Sequence, residues 1–203
     1  MNVDLATGEV RLSYVALVHP TATKNSDSES YRVTALIPKT DTRTVEAIRK
    51  ACHEVYDAAC LPDGVFAGRR PQIDVTKLLH DGDGLKQNGT EYGPECKGHW
   101  VVYLSSPAVT RKGVVRPRPG IVTADNPGHP LTDDEAEFIK SGDYGRVAMQ
   151  VYAYSSRGAD GVTASLLYTM WTRAGEPLAV QHTPDVAALF GVTQPETVLF
   201  SQA

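Results

Sequence analysis

The sequence lacks any long run of apolar residues. Among its 203 residues, no stretch approaches the roughly 20 consecutive apolar positions that a membrane-spanning helix needs. The residues after Met1 are polar and acidic, without the basic and then apolar pattern of a secretory leader. With 41% hydrophobic and 22% charged residues, the composition is that of an ordinary globular domain. We therefore expect an intracellular, soluble protein with no membrane partner.

Cysteine is scarce, and its spacing is not that of a metal or redox motif. The three cysteines, Cys52, Cys60 and Cys96, form no Cys-x-x-Cys pair. If Cys52 and Cys60 share a helix, they lie about 12 Å apart along its axis, which is too far for a disulfide. We expect reduced cysteines with a structural role, and Cys52 falls on an apolar stripe where a thiol packs as a small hydrophobe.

A complete metal-binding motif is also missing. The segment His80-Asp-Gly-Asp-Gly84 resembles the opening of a calcium loop, but the glutamate that an EF-hand needs at the twelfth position is absent. It therefore predicts a turn. A metal-dependent nuclease using Asp81, Asp83 and His80 or His99 is a weaker alternative, because no nucleophile with its base and no phosphate-binding glycine loop accompanies these acids. We predict no catalytic residues, no metal and no cofactor.

The sequence has no overall positive charge, since its net charge is −4. The first 120 residues nevertheless carry a small excess of basic residues, and the remainder carries a clear excess of acidic ones. The segment Arg111-Lys-Gly-Val-Val-Arg-Pro-Arg118 contains four cations and no acid, and Arg69-Arg70 is a second basic pair. Positive charge concentrated in a groove matters more for phosphate binding than the total. The acids at 133–135 are expected to fold away from the groove.

The stretch from Tyr144 to Tyr154 alternates between two chemically different faces, as a strand does. Its apolar face consists of Val147, Met149, Val151 and Ala153. Its other face consists of Tyr144, Arg146, Gln150, Tyr152 and Tyr154. Tyrosine rings are flat surfaces on which bases stack, and arginine attracts phosphate, so this face is typical of sequence-independent binding to single-stranded nucleic acid. The alternative is that the tyrosines pack beneath a neighbouring element with their hydroxyls at its rim.

The remaining periodicity predicts a mainly β protein. Four further strands are predicted at 8–18, 31–37, 98–104 and 162–171, the first ending at His19-Pro20 before a polar loop to Ser30. A helical period predicts one substantial helix at 42–59, and a capping box opens a short acidic helix at Thr132. These elements indicate a five-stranded, antiparallel barrel of the OB-fold type with long loop insertions. We assign this domain to 1–180, and a short helix with a mobile tail to 181–203.

Five stretches, in order over most of residues 8–180, carry a family resemblance. They are Tyr31-Arg-Val-Thr-Ala-Leu-Ile-Pro-Lys39 with the helix after it, Leu79-His-Asp-Gly-Asp-Gly84, Lys97-Gly-His-Trp100 leading to Arg116-Pro117, Ser141-Gly-Asp-Tyr-Gly-Arg146 through Tyr154, and Gly161 to the Gly175-Glu-Pro-Leu178 turn. In these stretches the chain resembles a family of phage single-stranded-DNA-binding proteins with an OB-fold. The resemblance implies a non-catalytic protein of phage DNA replication or recombination, acting in the cytoplasm of the bacterial host. It leaves a homodimer and contacts with phage or host replication proteins open.

Two features depart from the family pattern. Proteins of this role often end in a strongly acidic tail that recruits partners, whereas residues 181–203 contain only Asp185 and Glu196 as acids. The strand at 165–171 is also more apolar than the family's asparagine-containing version. The resemblance therefore does not extend to an acidic recruiting tail.

Together these features predict a DNA-binding surface that reads no sequence. Its aromatic residues are expected to stack on bases and its cations to contact phosphates, with Arg111 among the basic residues. The predicted DNA-binding residues are Trp100, Tyr103, Lys112, Arg116, Arg118, Arg146, Gln150, Tyr152 and Tyr154. The alternative is a structural or adaptor β-domain that makes a protein–protein interface, because tyrosine and arginine are also enriched at such interfaces.

Overall fold

Strands dominate the computed structural model, which describes residues 1–23, 26–110, 113–156 and 158–178. The strands are β1 (Asn2–Ala6), β2 (Val10–Thr23), β3 (Ser26–Pro38), β4 (His80–Asp81), β5 (His99–Pro107), β6 (Gly120–Thr123), β7 (Tyr144–Ser156) and β8 (Ala159–Arg173). The helices are α1 (Thr42–Ala59), α2 (Asp133–Ala136) and one 3₁₀ turn at Pro94–Cys96. No helix in these ranges is long and apolar enough to cross a membrane. The predicted C-terminal helix and tail at 181–203 lie outside the described residues.

Five of the strands join into a ring. Long antiparallel ladders connect β2 to β3, β3 to β5 and β7 to β8. Two short contacts complete the ring: β2 meets β7 over two residue pairs, and β5 runs parallel to β8 at Ser105 and Ser165. The closure is therefore only partial. This architecture, with α1 as its one substantial helix, confirms the predicted OB-type fold.

The parallel contact between β5 and β8 differs from the expected all-antiparallel arrangement. Strand direction alternates along an antiparallel series, so a closed ring with an odd number of strands must contain at least one parallel pair. Three short strands were also not predicted: β1 pairs with β7, β4 with β5, and β6 with β8. They contain two to five residues each. Strands this short give little periodicity to detect.

The β2–β3 hairpin is longer than the sequence predicts. We expected β2 to end at His19-Pro20 and a loop to follow until Ser30, but pairing continues through Thr21 with Ser30. The register of the ladder shifts between Ala16 and Thr21. Pro20 lies within this irregular part, where the amide N–H that proline lacks is not needed for the ladder. The prediction of the strand end was therefore wrong because a local irregularity accommodates the proline.

The apolar core lies inside the ring and beneath α1. On the helix, Val45, Ile48, Cys52 and Val55 are buried, as its period predicts. Asp41 caps the first turn, since its side chain accepts a hydrogen bond from the Thr44 N–H at 3.0 Å. The helix packs against β1 and β7. This packing leaves the outer faces of β3 and β5 on the opposite side of the sheet.

Strand β7 has the two faces that its sequence predicts. Val147, Met149 and Val151 are each 0% exposed, whereas Arg146 and Tyr154 are exposed. The buried three belong to the core cluster, with Ala153 packed against it. The tyrosine and arginine face of β7 therefore points out of the ring.

The segment between α1 and β5 forms a wall outside the ring. Tyr92 and Cys96 pack against Leu36 of β3 and Val101 of β5, in a second cluster on the face away from the core. A Cβ atom at Gly82 would lie only 2.1 Å from the Cys96 carbonyl oxygen, so this close approach requires glycine. The wall rises beside the outer faces of β3 and β5 and gives that side of the sheet a concave shape.

We expect Val151→Ala to lower the free energy of unfolding by about 2 kcal/mol, because it removes two buried methyl groups and leaves a cavity. Val115→Ala is the matched control, since Val115 is 78% exposed, and it should change stability by less than about 0.5 kcal/mol. Urea unfolding followed by circular dichroism measures both. Equal effects for the two substitutions would contradict the assignment of the apolar face of β7 to the core.

Candidate nucleic-acid interface

A groove runs along the outer faces of β3 and β5. It consists of four adjoining cavities of about 530, 270, 240 and 910 Å³. The first two share Tyr92, the middle two share Arg32, Thr34 and Tyr103, and the last two share Ser30. We call this continuous surface the outer groove. Its length and openness suit an extended chain better than a compact small molecule.

The floor of the outer groove follows from strand register. Arg32 pairs with Ser105, and Thr34 pairs with Tyr103. Side chains two residues apart on a strand share a face, and directly paired residues on neighbouring strands share it as well. Since Val33 and Leu104 point into the core, their polar and aromatic neighbours must point outward. The alternation that builds the core therefore also sets the chemistry of the groove.

Aromatic side chains concentrate near the centre of the groove. Tyr103 is 51% exposed, Tyr14 is 68% exposed, and both line the same cavity as Tyr92. The ring of His80 lies 5.2 Å from that of Tyr103. Exposed rings of this kind are the surfaces on which nucleobases stack.

The hydroxyl of Tyr103 is uncharged at neutral pH. Burial raises the pKa of Tyr103 above its ordinary value, and the neighbouring hydroxyl of Tyr92 raises it further. Burial also lowers the pKa of His80, an effect that nearby Lys77 reinforces. Tyr103 therefore forms no phenolate at neutral pH and does not repel a negatively charged ligand in the groove.

Cations lie at several positions along the groove. Arg32 is on its floor and donates a hydrogen bond to the Thr21 carbonyl oxygen. The ammonium group of Lys86 lies 5.3 Å from the ring centroid of Tyr92, and Arg116 lines the cavity at the far end. These positions distribute positive charge along the path, as contacts to a chain of phosphates require.

Two of the three acids at the Tyr154 end of the groove, Asp160 and Asp81, are paired with cations, whereas Asp74 accepts hydrogen bonds from Thr76. Asp160 contacts Arg69 at 2.7 Å. Asp81 contacts Lys39 at 2.5 Å. Each pair cancels a charge that would otherwise repel phosphate, so the acidic composition of this end overstates its negative potential.

Three of the predicted DNA-binding residues line the outer groove. Tyr103 is at its centre, Tyr154 is in the cavity next to Asp160 and Gly161, and Arg116 is at the opposite end. The structure thus brings residues from β5, β7 and the basic loop onto one surface. Lys112 and Arg111 lie outside the described residues.

Three other predicted residues lie on the outer face of β7, beside β1, and do not line the groove. Arg146 donates from Nε to the Thr7 carbonyl oxygen at 2.9 Å. Gln150 donates to Asp4 at 2.8 Å and accepts from Asn2 at 3.1 Å. Tyr152 pairs with Asn2 on β1. Strand β1, which was not predicted, therefore uses some of the hydrogen-bonding groups of this face.

Trp100 and Arg118 have contacts within the fold. Trp100 packs against the core, on the opposite face of β5 from Tyr103, and Lys39 and Arg49 lie over its ring at 5.4 and 5.3 Å. Arg118 is only 16% exposed in its side chain and bonds to Asp133. The acids at 133–135 were expected to fold away from the groove, and none of them lines the outer groove. Asp133 nevertheless pairs with Arg118 of the basic loop, because the two are oppositely charged and close in the chain.

The acids of the nuclease alternative are bound by a lysine. Lys39 donates to Asp81 at 2.5 Å and to Asp83 at 2.7 Å. Asp83 also accepts from the Gly98 N–H at 3.0 Å. No group of three or more metal-ligating side chains is found within the described ranges. This geometry is that of a turn closed by hydrogen bonds and ion pairs.

Sequence reasoning missed several residues of the groove, among them four aromatic or basic ones. Arg32 could have been found, because the predicted strand at 31–37 places it on the face opposite Val33 and Ala35. Tyr92 and Lys86 come from a loop whose position no local pattern reveals. Tyr14 was assigned to a strand, but no prediction was made of which face of that strand its side chain occupies. The groove therefore depends on elements that meet only in the tertiary fold.

The partly open ring and its outer groove place the chain in the class of OB-fold proteins. A family model described as Enterobacter phage Enc34, ssDNA-binding protein, matches residues 3–196. The chain therefore belongs to this family, which confirms the resemblance in the sequence. No curated protein sequence matches the chain.

Solved structures of phage proteins share the fold. The single-stranded DNA-binding protein from bacteriophage Enc34 in complex with ssDNA is 18% identical, with a TM-score of 0.65, over 87% of this chain and 89% of that one. Its C-terminal truncation is 20% identical, with a TM-score of 0.64, over 86% and 88%. The single-stranded DNA-binding protein gp2.5 of bacteriophage T7 is 16% identical, with a TM-score of 0.55, over 99% and 100%.

We expect Lys39→Gln to raise the pKa of Asp81 and Asp83 toward their ordinary values, because hydrogen bonds from Lys39 lower both. A lowered carboxyl pKa contributes stability above the unfolded-state pKa and loses it as pH falls. The difference in stability between the wild type and the variant should therefore be full at pH 7 and should disappear progressively as the pH falls below about 4.

Carboxyl NMR titration and urea unfolding at several pH values measure this effect. Lys50→Gln is the control, since Lys50 faces Glu54 at 3.8 Å on an exposed helix surface, and it should leave the pH profile of stability unchanged. Unaltered titration of Asp81 and Asp83 in Lys39→Gln would contradict the ion-pair assignment.

Proposed function

We propose that the chain binds single-stranded DNA, without catalysis, in phage DNA replication or recombination. The observation that carries this proposal is the outer groove, where the exposed Tyr103 ring lies beside Arg32 on a continuous concave surface. Family membership supports it. So does the presence of ssDNA in the complex of the Enc34 protein, which shares this fold.

The groove favours single strands for a chemical reason. Unpaired bases can turn their faces onto Tyr103, whereas bases within a duplex are already stacked on each other. Every base has such a face, so stacking is tolerant of sequence. Arg32 and Lys86 flank the aromatic cluster, where each can neutralise phosphate as the strand passes. The combination provides affinity without base-specific hydrogen bonds.

The remaining residues take different parts in this proposal. Tyr154 extends the stacking surface at one end, and Arg116 extends the basic path at the other. Arg146, Gln150 and Tyr152 are proposed as outlying contacts, for a DNA strand that continues across β7. Lys112, four residues before Arg116 in the sequence, is proposed as a further phosphate contact. Trp100 and Arg118, which have partners inside the fold, are assigned structural roles.

The non-catalytic part of the proposal is supported by the ion pairs of Lys39 with Asp81 and Asp83, because these pairs occupy the acids that a metal-dependent nuclease would need. We place the protein in the cytoplasm of the bacterial host, where phage DNA is copied. Phage or host replication proteins and a second copy of the chain remain proposed partners.

We expect Tyr103→Ala to weaken binding of a fluorescently labelled oligothymidylate about tenfold, because a stacked base contributes about 1–3 kcal/mol. Tyr103→Phe should bind like the wild type, since stacking needs the ring and not the hydroxyl. Fluorescence anisotropy measures affinity, and a melting curve should show no large loss of stability, because Tyr103 is half exposed. Absence of wild-type binding, or magnesium-dependent cleavage of the oligonucleotide, would falsify the proposed function.

We expect Arg116→Ala to reduce the dependence of affinity on salt, because each phosphate contact with a single strand contributes a log–log slope of about −0.7. Arg118→Ala is the matched control in the same loop. It removes the ion pair with Asp133 and should lower stability while leaving the slope unchanged. Anisotropy over a salt series measures both slopes. Identical slopes for Arg116→Ala and the wild type would exclude Arg116 from the DNA path.

A further inference from the structure

Tyr14 lies on the face of β2 opposite to the one that simple alternation predicts. Val10 and Leu12 are buried in the core, so a regular strand would also point residue 14 inward. Tyr14 is instead 68% exposed. The core positions after it are taken by Val15, which packs against the core, and by buried Leu17. The phase of the strand therefore shifts by one residue at Tyr14.

The shift is caused by a β-bulge. Ser13 pairs with Thr34 on β3, but the next pair joins Ala16 to Arg32, so two residues of β2 lie between positions where β3 has one. A hydrogen bond stabilises the bulge, since the Val15 N–H donates to Ser141 Oγ at 3.1 Å.

The bulge holds Tyr14 in an unfavourable backbone conformation. Its φ is +47°, in the left-handed region that favours glycine. A tyrosine there costs conformational energy, and exposing its ring also forgoes the burial that a core position would provide. Both costs reduce stability, and a binding role for the exposed ring gives a reason to keep them.

The ring of Tyr14 enters the central cavity of the outer groove. That cavity, of about 270 Å³, is also lined by Arg32, Lys86 and Tyr103. The position provides a second exposed ring close to Tyr103, and Tyr14 contributes to raising the pKa of the Tyr103 hydroxyl. Two neighbouring rings can hold two successive bases, whereas one ring holds only one.

We propose that Tyr14 is a base-stacking residue. The bulge turns its ring away from the core-facing side of β2 and into the outer groove. This inference rests on the proposed binding of single-stranded DNA. The fold keeps a strained residue at this position because its ring contacts DNA. Tyr14 therefore lowers the stability of the protein while it raises the affinity for DNA.

The test compares Tyr14→Ala, Tyr14→Gly and Tyr14→Phe, with labelled oligothymidylate as the probe. Alanine and glycine should each weaken binding about tenfold, and phenylalanine should retain wild-type affinity. Glycine should melt at a temperature equal to or above that of alanine, because only glycine adopts positive φ without strain. At Tyr168, which is 53% exposed and outside the groove, glycine should instead melt below alanine, as in a regular strand.

Tyr103→Ala separates failure of this inference from failure of the proposed function. If Tyr103→Ala weakens binding and no Tyr14 variant does, Tyr14 is not a stacking residue although the chain still binds DNA. If Tyr14→Phe loses as much affinity as Tyr14→Ala, stacking by the ring is also excluded. If the wild type does not bind the oligonucleotide, the proposed function itself is wrong.

Discussion

The alternation of side chains around an incompletely closed ring is the constraint on which this structure depends. Each strand must turn one set of residues into the core, and the residues between them then face outward. On β3 and β5 the inward set includes Val33, Ala35, Val102 and Leu104. The outward set includes Arg32, Thr34 and Tyr103, and the wall formed by Tyr92 makes that outward face concave. The same geometry therefore produces the core and the groove.

The placement of charge matters more here than its total. The net charge of −4 would disfavour a polyanionic partner if it were spread evenly. Several acids are instead paired with cations away from the centre of the groove, as Glu9 is with Arg173 and Asp133 with Arg118. Because nearby opposite charges cancel at a distance, a groove with Arg32 on its floor can attract phosphate even though the whole protein is acidic.

The groove also carries costs that a purely structural surface would avoid. Exposed tyrosine rings forgo burial, and Tyr14 adds a strained backbone. Functional sites commonly hold such unfavourable features, because a surface that satisfied all its own groups would have little left to offer a ligand. The core beneath, with many residues fully buried, provides the stability against which these costs are set.

The sequence by itself determined the fold class, the long helix and the two faces of β7, because these depend on periods of two and 3.6 that are local in the chain. It also predicted a DNA-binding surface of nine residues, of which Tyr103, Tyr154 and Arg116 line the outer groove. Only the tertiary structure decided which tyrosines share the groove, since β1 covers part of β7 while the loop with Tyr92 walls β3 and β5. The role of Asp133 and the direction of Tyr14 were likewise undetermined, because an ion pair across a loop and a bulge in a ladder depend on partners distant in sequence.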